Sequence, residues 1–155
     1  MSHDWSEEDH SNRKLDTANF SKGGFYQTNF SGASLRNAIF RDANLREADF
    51  SNADLRGADL TGASIGGATF DHANLQGATL SVIDDFGLAT DTFGDDYVKD
   101  LRWGASFTAT NLRFADLSSS FFRSCNFYNA DLRGIDGRHA IFEVCHFDEA
   151  NMAGA

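Results

Sequence analysis

From residue 33 to residue 80 the sequence repeats every five residues without a break. Ala recurs at positions 33, 38, 43, 48, 53, 58, 63, 68, 73 and 78. Two places after each comes a large apolar residue: Leu35, Phe40, Leu45, Phe50, Leu55, Leu60, Ile65, Phe70, Leu75 and Leu80. Between the two sits Asp, Asn, Ser or Thr in nearly every copy. A period of five fits neither the 3.6-residue helix nor the two-residue strand. It fits a chain that turns one corner per repeat, with Ala and the large residue both facing inward. Gly stands two places after the large residue at 32, 57, 62, 67, 77, 134 and 154, half of the 14 glycines in the chain. That place is read as a corner where φ is unusual or a side chain is awkward.

Ala53-Asp54-Leu55, Ala58-Asp59-Leu60 and Ala130-Asp131-Leu132 have the form A(D/N)LXX. On these residues the chain resembles the pentapeptide-repeat family, and the resemblance covers most of its length. It implies an all-β fold, a right-handed quadrilateral parallel β-helix with four repeats per coil. Residues 15–155 are expected to form one such solenoid of about six coils, interrupted by a single long insertion at 81–104.

A length of 155 residues suits one domain. Its core is then a column, in which each coil buries apolar residues against the coils above and below. The chain has no proline, as expected where backbone N–H groups are wanted for a parallel ladder. The net charge of −10 argues against direct binding to a nucleic-acid backbone, which takes clustered Lys and Arg. There is no run of 18 apolar residues, and residues 1–14 do not read as a secretory signal, so a cytoplasmic location without membrane contact is expected.

Residues 1–14 are read as a leader outside the repeat, either a short helical cap or a disordered lead. Ser6 and Asp9 loosely resemble a capping box, and Trp5 is placed over the first coil. From Leu15 to Leu80 there are 14 repeats. With four repeats per coil, one side stacks Leu15, Leu35, Leu55 and Leu75, and another stacks Phe30, Phe50 and Phe70. The pattern resumes at Ala105 and Phe107 and gives ten further repeats, counting the slot at Gly137, where Ile135 is expected to turn in and fill the space. If the insertion replaces no repeat, Leu117 falls on the Leu15 side, and Phe122 and Phe142 fall on the side of Phe20 and Phe40.

The insertion has its own composition. Asp84, Asp85, Asp91, Asp95, Asp96 and Asp100 stand against Lys99 and Arg102, a net of −4. Phe86, Phe93, Tyr97 and Trp103 add aromatic area. The stretch 95–103 reads as a short helix with Asp95 as N-cap and Gly104 just past its end. Long loops on rigid scaffolds commonly carry function, so these acidic and aromatic residues are the candidate partner-binding set. The competing reading is an insertion that only packs its aromatics on the solenoid flank. The aspartate spacing does not follow a calcium loop, and no metal or other cofactor is expected.

Cys125 and Cys145 lie 20 residues apart, both in the Ala place, and are expected to be stacked, reduced and inaccessible. No Ser/His/Asp or Cys/His set converges, and no phosphate loop occurs, so no catalytic residues are assigned and enzyme activity is not expected. The last repeats, with Phe142, Phe147 and Met152, should leave an apolar coil exposed, a surface open to a homodimer. Two functions remain. One is a non-catalytic interaction module that presents the acidic-aromatic loop to a protein partner not yet identified. The other follows from the resemblance: family members of the quinolone-resistance type act as DNA mimics that bind DNA gyrase. Arg36, Arg41, Arg46 and Arg56 in the N-terminal half weigh against that second reading.

Overall fold

The computed structural model describes residues 4–83 and 104–155, and among them there is no helix. Parallel bridges recur at every fifth residue, and below the insertion each joins a residue to the one 20 further on, as Asp9 to Asn29 and Asn29 to Asp49. The chain therefore returns above itself after four repeats, and its bridges gather in four columns that start at Asp4, Asp9, Lys14 and Asn19.

The repeat around Leu55 shows why these residues fold this way. Ala53 and Leu55 point inward and are buried, while Asp54 points out. The Leu55 N–H donates to the Asn74 C=O at 2.8 Å, and the Asp54 N–H donates to the Ala33 C=O at 2.9 Å, which joins the coil to its neighbours on both sides. The corner closes when the Ala58 N–H donates back to the Leu55 C=O at 2.9 Å. Gly57 has φ +66, the left-handed value that a type II turn needs at its third residue. All seven glycines singled out at this place have positive φ.

Where the residue before the large one is Asp or Asn, there is a local reason. Asn29, Asp49, Asp59 and Asp116 each accept the backbone N–H two residues on, at 2.8–3.0 Å. This satisfies a corner donor that has no ladder partner.

The columns fill the interior. On the second side, from Asp9 upward, His10, Phe30, Phe50, Phe70, Phe107, Phe127 and Phe147 stack in order. Above Phe50 the successive rings are 4.8–5.0 Å apart and within 4° of parallel. The third side carries Leu15, Leu35, Leu55, Leu75, Leu112, Leu132 and Met152. Two short strands, β1 (Phe121–Arg123) and β2 (Ile141–Glu143), pair in parallel on the first side, Phe122 opposite Phe142.

Three features depart from the sequence reading. First, residues 4–14 are not a leader, for Asp4, Asp9 and Lys14 bridge to Gly24, Asn29 and Ser34. Trp5 and His10 take the place of the large apolar residue, with ring centroids 5.3 Å apart. Trp5 is thus a half-buried member of the column rather than a lid, and the Asp9 column reaches seven levels.

Second, the rungs that cross the insertion join Thr69 to Ser106, Asn74 to Asn111 and Thr79 to Asp116, each 37 residues apart. Leu117 therefore stacks on the Leu80 side, and Phe107 stacks on Phe70 with centroids 5.0 Å apart. Phe122 and Phe142, expected on the side of Phe20 and Phe40, lie instead on the first side, one column before Asn126 and His146 of the second. Third, Cys145 is only half-buried, because no rung lies above its level among the described residues.

Candidate functional site

The candidate residues Asp84, Asp85, Phe86, Asp91, Phe93, Asp95, Asp96, Tyr97, Asp100 and Trp103 all lie outside the described residues, as does the helix expected at 95–103. The stems that carry the insertion are described. On the N-terminal stem, Ile83 occupies an Ala place and is buried. Its N–H donates to Ser120 Oγ at 3.0 Å, and Ser120 Oγ donates to the Leu80 C=O at 2.6 Å. A hydroxyl from the next coil thus stands inside the corner hydrogen bond that other repeats make directly. The Phe121 N–H donates to the Ile83 C=O at 2.8 Å and ties the stem to β1.

The C-terminal stem is fixed by a close approach. A Cβ on Gly104 would run into the carbonyl of Arg123 and the backbone of Ser124. Only glycine fits, because the obstacle is backbone and cannot give way. The sequence reading saw Gly104 as a helix end and gave no role to Ser120. The signal for Ser120 was a hydroxyl in an Ala place, shared with Thr28 and Thr110, which donate to the Trp5 and Phe70 carbonyls at 2.9 and 2.7 Å.

The outward sides differ in charge. On the second side the residues flanking the large ones include Asp9, Asp49, Asp71 and Asp148, and among the described residues no Lys or Arg. On the third side Arg36, Arg56, Arg113 and Arg133 stand in one column. Three of them are held by carboxylates. Arg36 pairs with Asp16 at 2.8 Å, Arg56 with Asp54 at 2.6 Å and Arg133 with Asp131 at 2.5 Å. The guanidinium hydrogen bonds hold Asp16, Asp54 and Asp131 below the usual carboxylate range. On the fourth side Arg138 does the same to Asp136 and lowers it to about 2.

No disulfide joins Cys125 and Cys145. His72 and His139 sit at positive-φ corners. Ile135 is partly buried against the core, with its Cδ1 4.0 Å from the place a Gly137 Cβ would take. Phe142 and Phe147 are half-buried, and Met152 is 50% exposed. Among the described residues there is no group of His, Cys, Asp and Glu able to hold a metal, and no helix long and apolar enough to cross a membrane.

Corner turns of this kind, stacked with a 20-residue return, define a parallel β-helix of five-residue repeats. The family described as Pentapeptide repeats matches in 8 copies, over residues 25–62, 49–81, 104–142 and 125–155. The chain belongs to the pentapeptide-repeat family. Similar solved structures include HetL of Nostoc sp. strain PCC 7120, a pentapeptide repeat protein involved in heterocyst differentiation regulation. It is 21% identical, with 98% of this chain and 79% of that one covered and a TM-score of 0.38. Rfr23 of the cyanobacterium Cyanothece 51142 is 18% identical, with 96% and 90% covered and a TM-score of 0.35. QnrB1, a plasmid-mediated fluoroquinolone resistance protein, is 16% identical, with 92% of each chain covered and a TM-score of 0.32. None of the curated proteins matches this chain.

Proposed function

We propose that this chain is a non-catalytic interaction module, a rigid β-helix that holds the insertion at 81–104 out to a protein partner. The observation that carries this reading is the continuity of the ladder across the insertion. Three columns resume in order at Ser106, Asn111 and Asp116, and the Phe70–Phe107 stack is as close as those below it. Three of the four columns are thus joined past the insertion by rungs between residues outside 84–103. Six aspartates and four aromatics in that segment provide charge for steering and area for affinity.

The test replaces residues 84–103 with a short Gly/Ser linker and leaves both stems in place. The β-rich circular dichroism and the cooperative melt should persist, since closing a shorter loop slightly lowers the entropic cost. Affinity capture with the intact chain should recover a partner that the shortened chain loses. Collapse of the fold on shortening would make the insertion a packing element and end this reading.

The gyrase-binding alternative has one observation in its favour. On the second side Asp9, Asp49, Asp71 and Asp148 face outward, with no Lys or Arg among the described residues. A DNA mimic presents negative charge along such a side. A DNA gyrase supercoiling assay with added protein decides it: neither inhibition nor protection from a quinolone would remove the alternative. A homodimer through the coil of Phe142, Phe147 and Met152 is a further part of this reading, tested by sedimentation of the intact chain against a Met152→Lys variant.

A further inference from the structure

We propose that the corner formed by Arg113 and Phe114 is a docking site for an acidic, partly apolar segment of a protein partner, separate from the insertion. Phe114 has φ +58 and is 58% exposed. The other residues of its corner column are Asn37, Gly57, Gly77, Gly134 and Gly154, types suited to the left-handed region, and the small β-branched Thr17, which is not. A bulky aromatic ring held there is strained, and burial does not compensate it. The ring lies over Gly134, where a Cβ would come within 2.8 Å of its edge. On the other flank, Gly77 has open space where its side chain would be. The corner is therefore an exposed knob between two bare turns.

Arg113 supplies the second, independent observation. At Arg56, Arg133 and Arg138 the residue two places before is Asp, and its carboxylate takes Nε at 2.8–2.9 Å and Nη2 at 2.5–2.6 Å in a fork. Before Arg113 that place is Asn111. Its Oδ1 accepts the Arg113 backbone N–H at 3.2 Å, and its Nδ2 donates to Asn74 at 3.1 Å. Arg113 makes no ion pair among the described residues, and its Nε is buried without an acceptor. Asp131 feels its charge, but both oxygens of that carboxylate are taken by Arg133. The guanidinium instead lies over the Phe114 ring, 5.3 Å from the centroid. With Nε buried, the two terminal Nη groups, which no described carboxylate holds, are the donors left for a carboxylate from outside.

Charge fixes the class of partner. Along the third side Lys14, Arg36, Arg56, Arg113 and Arg133 face Asp16, Asp54 and Asp131, five bases against three acids in a chain of net charge −10. A carboxylate suits these Nη groups, since carboxylates fill the other forks of this column. A nucleic acid fits poorly, because the rest of the surface repels its phosphates. The occupant is thus a peptide segment that places Asp or Glu on Arg113 and a neighbouring apolar side chain on Phe114.

The probe is an acetylated, amidated peptide of alternating leucine and glutamate, titrated into the isotopically labelled full chain and followed by NMR. The Arg113 Nε–H signal and the Phe114 and Gly134 amides should shift and saturate in the millimolar range. Those shifts should vanish in Arg113→Gln and in Phe114→Asn. Asn is already accepted at this corner as Asn37, so Phe114→Asn should melt no lower than the parent. The same peptide with lysine for glutamate should give no shifts. The proposal is overturned by absence of shifts at Arg113, by equal binding in Phe114→Asn, by equal shifts from the lysine peptide, or by larger shifts from a duplex DNA oligonucleotide.

Discussion

Replacing Phe50 with Ala removes one ring from a continuous stack. Phe50 is fully buried, with Phe30 and Phe70 each 5.0 Å away in near-parallel planes and Phe40 edge-on at 5.8 Å. A buried aromatic side chain removes roughly 150–250 Å² from water, worth about 4–6 kcal/mol at about 25 cal/mol per Å² as an upper bound. Measured Phe to Ala losses in cores run at about 3–5 kcal/mol, and the spread follows how far the site can collapse. Here it collapses little. The backbone rungs at this level, Phe30 N–H to Asp49 C=O and Phe50 N–H to Thr69 C=O, are both 2.7 Å and set the coil spacing without help from the ring. We expect a loss of about 4 kcal/mol. With a urea dependence of about 2 kcal/mol per molar, the denaturation midpoint falls by about 2 M. Phe147→Ala is the control: that ring is half-buried and stacks on Phe127 alone among its own column, so its loss should be about 1–2 kcal/mol. A fall below about 0.5 M for Phe50→Ala, or equal falls for the two variants, would refute the stacked-column account.

Gly104→Ala should destabilise by about 1–3 kcal/mol, read from the thermal midpoint, because its Cβ has only backbone to displace. Ser120→Ala should cost about 1–3 kcal/mol by stranding the Ile83 N–H, and hydrogen exchange at Ile83 should quicken while that at Phe50 does not change. The depressed carboxylates set an acid limit. Each has a lower pKa folded than unfolded, so its contribution is present above the ordinary value of 3.8 and is lost as pH falls toward the folded one, about 2 for Asp136. Urea midpoints should therefore drop between pH 4 and 2, and less steeply once Asp54, Asp131 and Asp136 are all replaced by Asn.

The repeat was legible because each of its places has its own steric demand. Ala is required where a neighbouring ring takes the space, and Gly23 is the limiting case: the Phe25 ring already fills the position of its Cβ. Residues 4–14 escaped notice because that demand relaxes at the first level. Glu8 and Arg13 occupy Ala places there and are exposed, so the sequence shows no small residue to mark the phase. His10 hid the column further, since a histidine in the large apolar place looks like a polar leader until it is seen stacked on Phe30. The register across the insertion had a readable sign. Phe107, Phe127 and Phe147 repeat at the same interval as Phe30, Phe50 and Phe70, and matching ring to ring gives the observed side where counting repeats does not.

The outward chemistry was harder to read, and the corners show why. Among the described residues, Val82, Phe114 and Val144 are bulky apolar residues at positive φ, and all three are more than half exposed. An L residue in that region costs about 1–2 kcal/mol, and a β-branched one is a clear outlier. The backbone nevertheless keeps its course, because the rungs on either side dictate it. The Val82 N–H still reaches the Ser118 C=O at 3.2 Å, and the Phe114 N–H still reaches the Arg133 C=O at 3.1 Å. Corner geometry is thus imposed by the stack rather than chosen by the corner residue. It follows that residue identity at a corner is free to serve something other than folding, at a modest cost in stability. Val82 stands at the last corner before the insertion, next to Ile83 and the Ser120 hydroxyl. Phe114 stands beside the one guanidinium of its column that, among the described residues, no carboxylate holds. In a solenoid of this kind the places that break the local preference without adding a buried contact are where a partner is to be sought.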